Sequence, residues 1–358
     1  MKNKALTYLY LAFLMVFLPG CLENNVIPEF HGSLENTAEM LVYFESQGDF
    51  INSMDAPPLL GAGEVNSNTD SYLILDTRSR DLFRSGHIKG AVNLESKDLI
   101  SYFKQNGTEK YSKVVLVSQS GQASSYYATL LRLAGYNNVY SLNFGMGAWN
   151  TAFSDVWNEH TRNSPEMNNY TNEGSHRNSK TPLPKVEFKT KSGNIKDKVE
   201  ERVSEMLLGG FNENLTFESD SVSGPAVTED DLFGEYARRD YYLICYGSDA
   251  LYEAVGIFNP YSGLGHPQGA ISYAPYSSLK SSNYLQTLPT NREIAIYCYN
   301  GQYSASAAAY LRLLGYKAKS MLFGAHVLFY SRMLYDPLLK RYAFDKYTSP
   351  EYPFVTGD

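Results

Sequence analysis

The sequence contains few of the residues from which several kinds of functional site are built. Its three cysteines are too few for a disulfide scaffold, and its six histidines argue against a metal site. The formal net charge is −7 and no basic run is longer than two residues, which argues against nucleic acid as a partner. From these absences we expect no metal ion and no other cofactor.

A long apolar run occurs at the N-terminus, over residues 5–17, where it follows two lysines. It is too short to span a bilayer comfortably and is typical of a signal peptide. The next four residues, Leu-Pro-Gly-Cys at 18–21, resemble a bacterial lipobox, although proline departs from the commoner residue at its position. We therefore expect a lipoprotein signal peptide over 1–20, lipidation of Cys21 and a tether over 21–35. The alternative is an ordinary secretory signal followed by an incidental cysteine.

The remaining sequence repeats itself. Residues 114–136 and 294–316 share an apolar run, a short polar loop containing glycine, and a helical pattern that ends in Gly-Tyr. A Gly-His pair at 86–87 and another at 265–266 precede these segments by about the same separation. We interpret the chain as a tandem duplication.

Its 358 residues leave room for two domains of ordinary size, each with its own core. We expect a first domain over 36–158, a polar connector over 159–196 and a second domain over 197–345, hereafter the first copy, the connector and the second copy. Strands alternate with helices in both copies, which predicts an α/β fold with parallel sheets.

Cys298 follows the apolar run of the second copy and precedes its helix. A thiol at a strand-to-helix turn faces main-chain N–H groups and the positive end of the helix dipole, an environment that lowers its pKa and favours the thiolate. Gly301 allows successive N–H groups to point at one anion. The alternative is a buried structural cysteine. The polar neighbours Asn300 and Gln302 favour the catalytic interpretation.

Three motifs resemble the rhodanese (sulfurtransferase) family in its tandem two-domain form: Leu-Asp-Thr-Arg at 75–78, the stretch from Phe83 to Asn93, and the loop from Cys298 to Ser304. The resemblance implies two rhodanese-like domains, each a central parallel sheet flanked by helices. It also implies that Cys298 attacks the outer sulfur of a donor such as thiosulfate and passes it, as a persulfide, to a nucleophilic acceptor.

The other loop residues are expected to bind the substrate: Tyr299, Asn300, Gly301, Gln302, Tyr303 and Ser304. For Ser304, capping of the helix N-terminus is the favoured role. The loop contains no arginine or lysine, so we expect weak affinity for thiosulfate and no phosphatase activity.

Ser118 stands where the second copy has its cysteine, so the first copy is predicted to be a degenerate site with a structural or binding role. No His/Asp partnership for a serine hydrolase is evident. Asp76 and Arg78 are expected to form an ion pair that holds the loops. His87 and His266 are expected to stabilise turns and not to bind ligands.

The second copy lacks this Asp/Arg pair and has Cys245 in the same segment, which favours the alternative of a non-catalytic docking protein. Cys245 is either a small core residue, which we favour, or a resolving cysteine that forms a disulfide with Cys298.

We therefore predict a sulfurtransferase that acts through Cys298, located in the bacterial cell envelope and lipid-anchored on the extracytoplasmic side. Its expected partners are a small sulfur-containing anion and the membrane; a protein acceptor is not identified. The alternatives are a non-catalytic docking lipoprotein and a redox module.

Overall fold

The computed structural model describes residues 36–164, 170–215, 224–234, 237, 240–253, 265–345, 347–348 and 350–358. All of these belong to one compact unit, residues 35–358. The predicted signal peptide, Cys21 and the tether lie outside the described residues. Within the described part, no helix has the length and apolar character needed to cross a membrane.

The first half of the chain alternates strands and helices. Its elements are α1 Asn36–Ser46, β1 Leu59–Leu60, α2 Ala62–Asn66, β2 Leu73–Asp76, α3 Arg80–Ser85, β3 Val92–Asn93, α4 Leu99–Asn106, β4 Val114–Val117, α5 Gln122–Leu133, β5 Val139–Leu142 and α6 Asp155–Asn158.

The second half has a similar alternation, after a short connector strand. Its elements are β6 Tyr170–Thr171, α7 Ile195–Gly209, β7 Ala226–Val227, α8 Glu229–Phe233, β8 Tyr242–Tyr246, α9 Asp249–Tyr252, β9 His266–Pro267, β10 Ile271–Tyr273, β11 Ile294–Tyr297, α10 Gln302–Leu313, β12 Ala318–Met321, α11 Ala325–Leu328 and α12 Tyr330–Tyr335.

Each half builds a five-stranded sheet in which every neighbouring pair of strands is parallel. The strand orders are β1-β5-β4-β2-β3 and β7-β12-β11-β8-β10, so corresponding strands occupy corresponding places. Strands β4 and β11 are continuous apolar runs, and all their residues are buried. A parallel strand covered by helices on both faces has this composition. The predicted α/β fold with a central parallel sheet in each half is therefore confirmed.

The two halves meet along α5 and α10, which carry the polar loops at their N-termini. Ser125 Oγ donates to the main-chain oxygen of Gln302 at 2.8 Å, and Thr129 Oγ1 donates to Ser306 Oγ at 2.8 Å. Both contacts are buried, and small side chains in α10 allow the helices to approach closely. The two loops therefore lie side by side within one compact unit.

Helix α7 begins at Ile195, where the side chain of Asn194 accepts a hydrogen bond from Lys196 N. It also reaches the first copy, since Ser96 Oγ donates to the carbonyl of Leu207 at 2.9 Å. The chain leaves the helix through Gly210, whose φ of 67° favours glycine. This exit directs residues 211–215 toward the loop of the first copy.

Candidate functional site

Cys298 lies directly after β11, at the carboxyl edge of the second sheet. Its sulfur accepts hydrogen bonds from the amides of Gly301 and Ser304, both at 3.1 Å. Gly301 has a φ of 81°, and a Cβ there would come within 2.0 Å of Gln122 Oε1. Only glycine therefore fits at the turn that aims these amides at the sulfur, as the sequence predicts.

The ionisation of Cys298 differs from expectation. The side chain has no exposed surface, and burial raises the pKa of the thiol although hydrogen bonds from Ser304, Asn300 and Gly301 lower it. The prediction of a lowered pKa is therefore wrong. Amides and the helix dipole favour the thiolate, but the loss of water outweighs them.

Ser304 also differs from its favoured role. Helix α10 begins at Gln302 and its cap residue is Gly301, so Ser304 is already inside the first turn. Its hydroxyl donates to the carbonyl of Gly301 at 3.1 Å and lies 3.3 Å from the sulfur of Cys298. The prediction of a helix cap is wrong because the helix starts two residues earlier, and the hydroxyl faces the sulfur instead.

The two loop tyrosines belong to an aromatic cluster beside the loop. The Tyr299 ring stacks on Tyr342 at 3.9 Å between centroids, and Tyr303 packs edge-on against both rings. The Tyr299 hydroxyl accepts a hydrogen bond from Ser248 N at 2.8 Å. Arg341 is exposed at the rim of the cluster and donates to the Tyr342 hydroxyl at 2.6 Å. The sequence gives no signal for Tyr342 and Arg341 in this cluster, because they lie some 40 residues beyond the loop and match no motif.

The side chain of Gln302 reaches across to the first copy. Its Nε2 donates to Gly121 O at 3.1 Å and its Oε1 accepts from Phe144 N at 3.0 Å. The relation is reciprocal, because Gln122 Oε1 accepts from Phe323 N at 2.8 Å. The polar atoms of Gln302 are thus engaged in joining the two halves, which argues against the predicted substrate contact.

Asn300 is engaged within its own loop. Its Oδ1 accepts from Gln302 N at 3.1 Å, and its side chain is buried. The predicted substrate contacts of Tyr299, Asn300, Gly301 and Tyr303 stay predictions.

The first-copy loop has the same main-chain geometry around Ser118. The Ser118 hydroxyl oxygen accepts from Gly121 N at 3.1 Å and from Ser124 N at 3.2 Å. These amides correspond to those of Gly301 and Ser304. The first copy therefore retains the shape of the loop, with oxygen in the place of sulfur.

The first-copy loop also holds an unanticipated carboxylate, that of Glu213, from the segment after α7. This side chain is 7% exposed. It accepts five hydrogen bonds from the loop: Gln119 N at 2.5 Å, Ser120 N at 3.3 Å, Ala123 N at 3.2 Å, Ser118 Oγ at 3.1 Å and Ser120 Oγ at 2.7 Å. A single glutamate in a polar, loop-rich stretch carries no sequence signal for such a contact.

The predicted ion pair of the first copy is present. Asp76 and Arg78 are buried, and Arg78 Nη2 lies 2.6 Å from Asp76 Oδ2. The strand register shows which residue of the second copy corresponds to Asp76. Asp76 pairs with Val117 in the first sheet, and Cys245 pairs with Tyr297 in the second. Since Val117 and Tyr297 precede the two loops, Cys245 stands where the first copy has its aspartate.

Arg332 of α12 compensates for the missing arginine of the second copy. In the first copy Arg78 Nη2 donates to Gly86 O at 2.7 Å, and in the second Arg332 Nη1 donates to Gly265 O at 2.8 Å. Arg332 Nη2 also donates to Ala250 O at 2.5 Å. The guanidinium is almost fully buried, and this burial lowers its pKa. A distant residue thus holds the same Gly-His turn.

Cys245 has the character of a core residue. It is fully buried, and burial raises its pKa to about 12. Its ladder partner is Tyr297 and not Cys298, and both thiols are free. These observations favour the core interpretation over a resolving role.

Both histidines of the repeated Gly-His motif stabilise turns. His87 Nδ1 contacts Phe83 O at 2.9 Å and the ring stacks on Phe83; His266 Nδ1 contacts Tyr252 O at 3.0 Å and the ring stacks on Tyr252. The predicted role of the two side chains in stabilising turns is confirmed. In the described ranges, no cluster of three or more His, Cys, Asp or Glu side chains could hold a metal ion.

Comparisons with known proteins point to one family. The family model of the rhodanese-like domain matches residues 62–152, which lie in the first copy. The chain is 35% identical over 82 residues to the thiosulfate sulfurtransferase GlpE of Shewanella oneidensis, a match covering 23% of this chain and 79% of that protein. It is 34% identical over 87 residues to the uncharacterized protein YibN of Escherichia coli, covering 23% of this chain and 58% of that one.

Among solved structures, the chain is similar to the 3-mercaptopyruvate sulfurtransferase from Leishmania major, with 14% identity and a TM-score of 0.25, over 79% of this chain and 76% of that one. The extent of the GlpE match carries the assignment. By its sequence and its two parallel sheets, the chain belongs to the rhodanese family.

Proposed function

We propose that the second copy transfers sulfane sulfur through a persulfide on Cys298. In the first step, the thiolate attacks the outer sulfur of a donor such as thiosulfate, the sulfur–sulfur bond of the donor breaks, and sulfite leaves with the electron pair. In the second step, a nucleophile such as cyanide attacks the outer sulfur of the persulfide, and the cysteine thiolate leaves. The GlpE relative, named a thiosulfate sulfurtransferase, supports the choice of donor.

The observation that carries the proposal is the pair of amides aimed at the sulfur of Cys298, from Gly301 and Ser304. Preorganised N–H donors stabilise negative charge without having to reorganise during the reaction. The same donors suit both resting forms, because the thiolate and the persulfide anion each carry the charge on sulfur. In the thiol form, Cys298 Sγ donates to the Ser304 hydroxyl oxygen at 3.3 Å.

The raised pKa of Cys298 sets the expected rate. Burial keeps most of the thiol protonated near neutral pH, and only the thiolate attacks the donor. We therefore expect slow turnover at neutral pH that increases as the pH rises. A nearby cation would favour an anionic donor, and Arg341 at the rim of the tyrosine cluster is suited to that role.

The test is cyanide-dependent release of thiocyanate from thiosulfate, compared between the parent protein and Cys298→Ser. Cys245→Ser is the matched control, because it removes a buried thiol that is not in the loop. We expect activity in the parent and in the control and none in Cys298→Ser. Mass measurement after exposure to thiosulfate should find one added sulfur atom on Cys298. Equal release of thiocyanate from the parent and from Cys298→Ser would contradict the proposal. It would favour the alternative hypothesis of a non-catalytic docking lipoprotein.

We also propose that Cys21 is lipidated and tethers the protein to the bacterial cell envelope on the extracytoplasmic side. The lipobox-like residues 18–21 support this. The test is partition into a detergent phase, where Cys21→Ser should move to the aqueous phase. Equal partition of the two proteins would contradict the anchor.

A further inference from the structure

We propose that the first-copy loop is an anion-binding site whose occupant is the chain's own Glu213 carboxylate, and that the site accepts a small free carboxylate once Glu213 is removed. This inference stands apart from sulfur transfer, since it does not involve Cys298. It gives the degenerate copy a definite role: the loop fastens the segment that follows α7 by binding its side chain as a ligand.

The first argument is the set of donors. Three main-chain amides, of Gln119, Ser120 and Ala123, and two hydroxyls, of Ser118 and Ser120, surround the two oxygens of Glu213. Both serines and the carboxylate are more than nine-tenths buried. A carboxylate removed from water is stable only where its oxygens are well supplied with hydrogen bonds, as they are here.

The second argument is the chemistry at position 118. A hydroxyl can donate to a carboxylate, and Ser118 does so at 3.1 Å. A thiolate at the same place would carry a second negative charge into the same buried site, and two such charges repel strongly. The serine and Glu213 are therefore compatible with each other, whereas a reactive cysteine and Glu213 would not be.

The third argument is the contrast with the second copy. There the amides that correspond to those of Gln119, Ser120 and Ala123 belong to Tyr299, Asn300 and Tyr303. Across the residues that the structure describes, no carboxylate oxygen accepts a hydrogen bond from these three amides. The internal ligand is thus a feature of the first copy and does not follow from the loop shape alone.

The fourth argument is the way in which Glu213 is held in place. Phe211 N donates to the Tyr127 hydroxyl at 2.8 Å, two residues before the glutamate. Ser96 Oγ donates to the carbonyl of Leu207 at the end of α7. These contacts keep the carboxylate near the loop, so it competes at a high effective concentration with any free anion.

The experiment measures binding of formate to the full chain by the shift of its thermal unfolding midpoint, against sodium chloride at the same ionic strength. In Glu213→Ala the site is vacant, and we expect formate to stabilise this variant with an apparent Kd at least about tenfold lower than in the parent. Glu205→Gln is the matched control, because it removes an exposed carboxylate on α7 and should behave like the parent. Adding Ser118→Ala and Ser120→Ala to Glu213→Ala should abolish the formate effect.

Formate that affects parent and Glu213→Ala equally would overturn the proposal. If Glu213→Ala does not fold, Glu213→Gln answers the same question by hydrogen exchange. The neutral amide accepts weaker hydrogen bonds, so exchange at the amides of Gln119, Ser120 and Ala123 should be about fivefold faster, with the amides of Gly301 and Ser304 unchanged. Unchanged exchange at the three first-copy amides would overturn the proposal as well.

Discussion

The two copies share one loop shape but direct its amides at different groups. In the first, the amides of Gly121 and Ser124 meet a neutral hydroxyl and the remaining donors hold Glu213. In the second, the equivalent amides point at the sulfur of Cys298. The same inward-facing N–H groups therefore serve both loops, and they contact a carboxylate in the first copy and a thiol in the second.

The supports of the loops differ in the same way. The first copy uses a local pair, Asp76 and Arg78, whereas the second has Cys245 in place of the aspartate and takes its arginine from α12. Loss of the motif in the second copy thus did not remove the guanidinium that holds the Gly-His turn.

Replacing Cys298 by serine would make the two loops chemically alike, and we expect the largest effect there. Sulfur transfer should fall by a factor of about 10³ or more, because a hydroxyl is not ionised near neutral pH and cannot form a persulfide. Thiocyanate release measures the loss. Ser118→Ala should leave the rate nearly unchanged, and a comparable loss there would contradict the division of roles between the copies.

Breaking the Asp76–Arg78 ion pair, which supports the loop of the first copy, should have the largest effect on stability. Asp76→Asn leaves the buried Arg78 without its counter-charge, at a cost of about 3–5 kcal/mol in the free energy of unfolding. Urea denaturation measures it, and Arg80→Gln, which removes an exposed ion pair, should cost less than about 1 kcal/mol. A similar small cost for both variants would contradict the supporting role of the pair.

Replacing Arg332 tests whether it supports the second copy as Arg78 supports the first. Arg332→Met leaves the carbonyls of Gly265 and Ala250 without donors, and we expect a cost of about 2–4 kcal/mol together with reduced sulfur transfer. Denaturation and thiocyanate release are measured on the same preparation. Unchanged activity in a destabilised variant would show that the arginine supports the fold only.

The pH dependence of Cys298 should show the cost of burial. Because its pKa in the folded state is raised, alkylation by iodoacetamide should be slower than for a free cysteine at neutral pH and should keep rising above the ordinary thiol range, near pH ~8.5. Whereas the alkylation rate increases with pH, the free energy of unfolding should decrease. Above that pH the thiol ionises in the unfolded state before it does so in the folded state, which stabilises the unfolded state of the parent. Cys298→Ser has no such thiol and should not show this decrease. Alkylation that levels off below pH ~8 would contradict the raised pKa.

The smallest effect is expected at Arg341. Arg341→Ala should raise the KM for thiosulfate about two- to fivefold and leave kcat nearly unchanged, since an exposed charge contributes little binding free energy. Lys340→Ala removes a neighbouring charge and serves as the control. An equal change in both variants would point to net charge and not to the position of Arg341.

Much of this architecture could be predicted from local pattern. The apolar runs, the Gly-containing loops and the Gly-His pairs occur twice in order, and they predicted the sheets, the Asp76–Arg78 pair and the turns of His87 and His266. Such features depend on residues close in sequence, or on a repeated spacing, and these are visible without coordinates.

What could not be predicted depends on distant contacts. Glu213 binds a loop about 90 residues earlier, and Arg332 holds a turn 67 residues earlier, with no motif around either. The direction of the pKa shift of Cys298 could not be predicted for a related reason. The amides near the sulfur follow from the loop sequence, but the exclusion of water depends on how the whole domain packs.

The crossed glutamines have a consequence for the chain as a whole. Gln122 and Gln302 each accept a main-chain amide from the opposite half, at Phe323 and Phe144. If the two halves were produced as separate polypeptides, each would have a main-chain amide without its acceptor. Each would also expose the face of its long helix, α5 or α10, that is buried in the intact chain. Mixing the two fragments should restore both glutamine contacts at once. We therefore expect complementation between the fragments to be all-or-none, with neither half stable on its own.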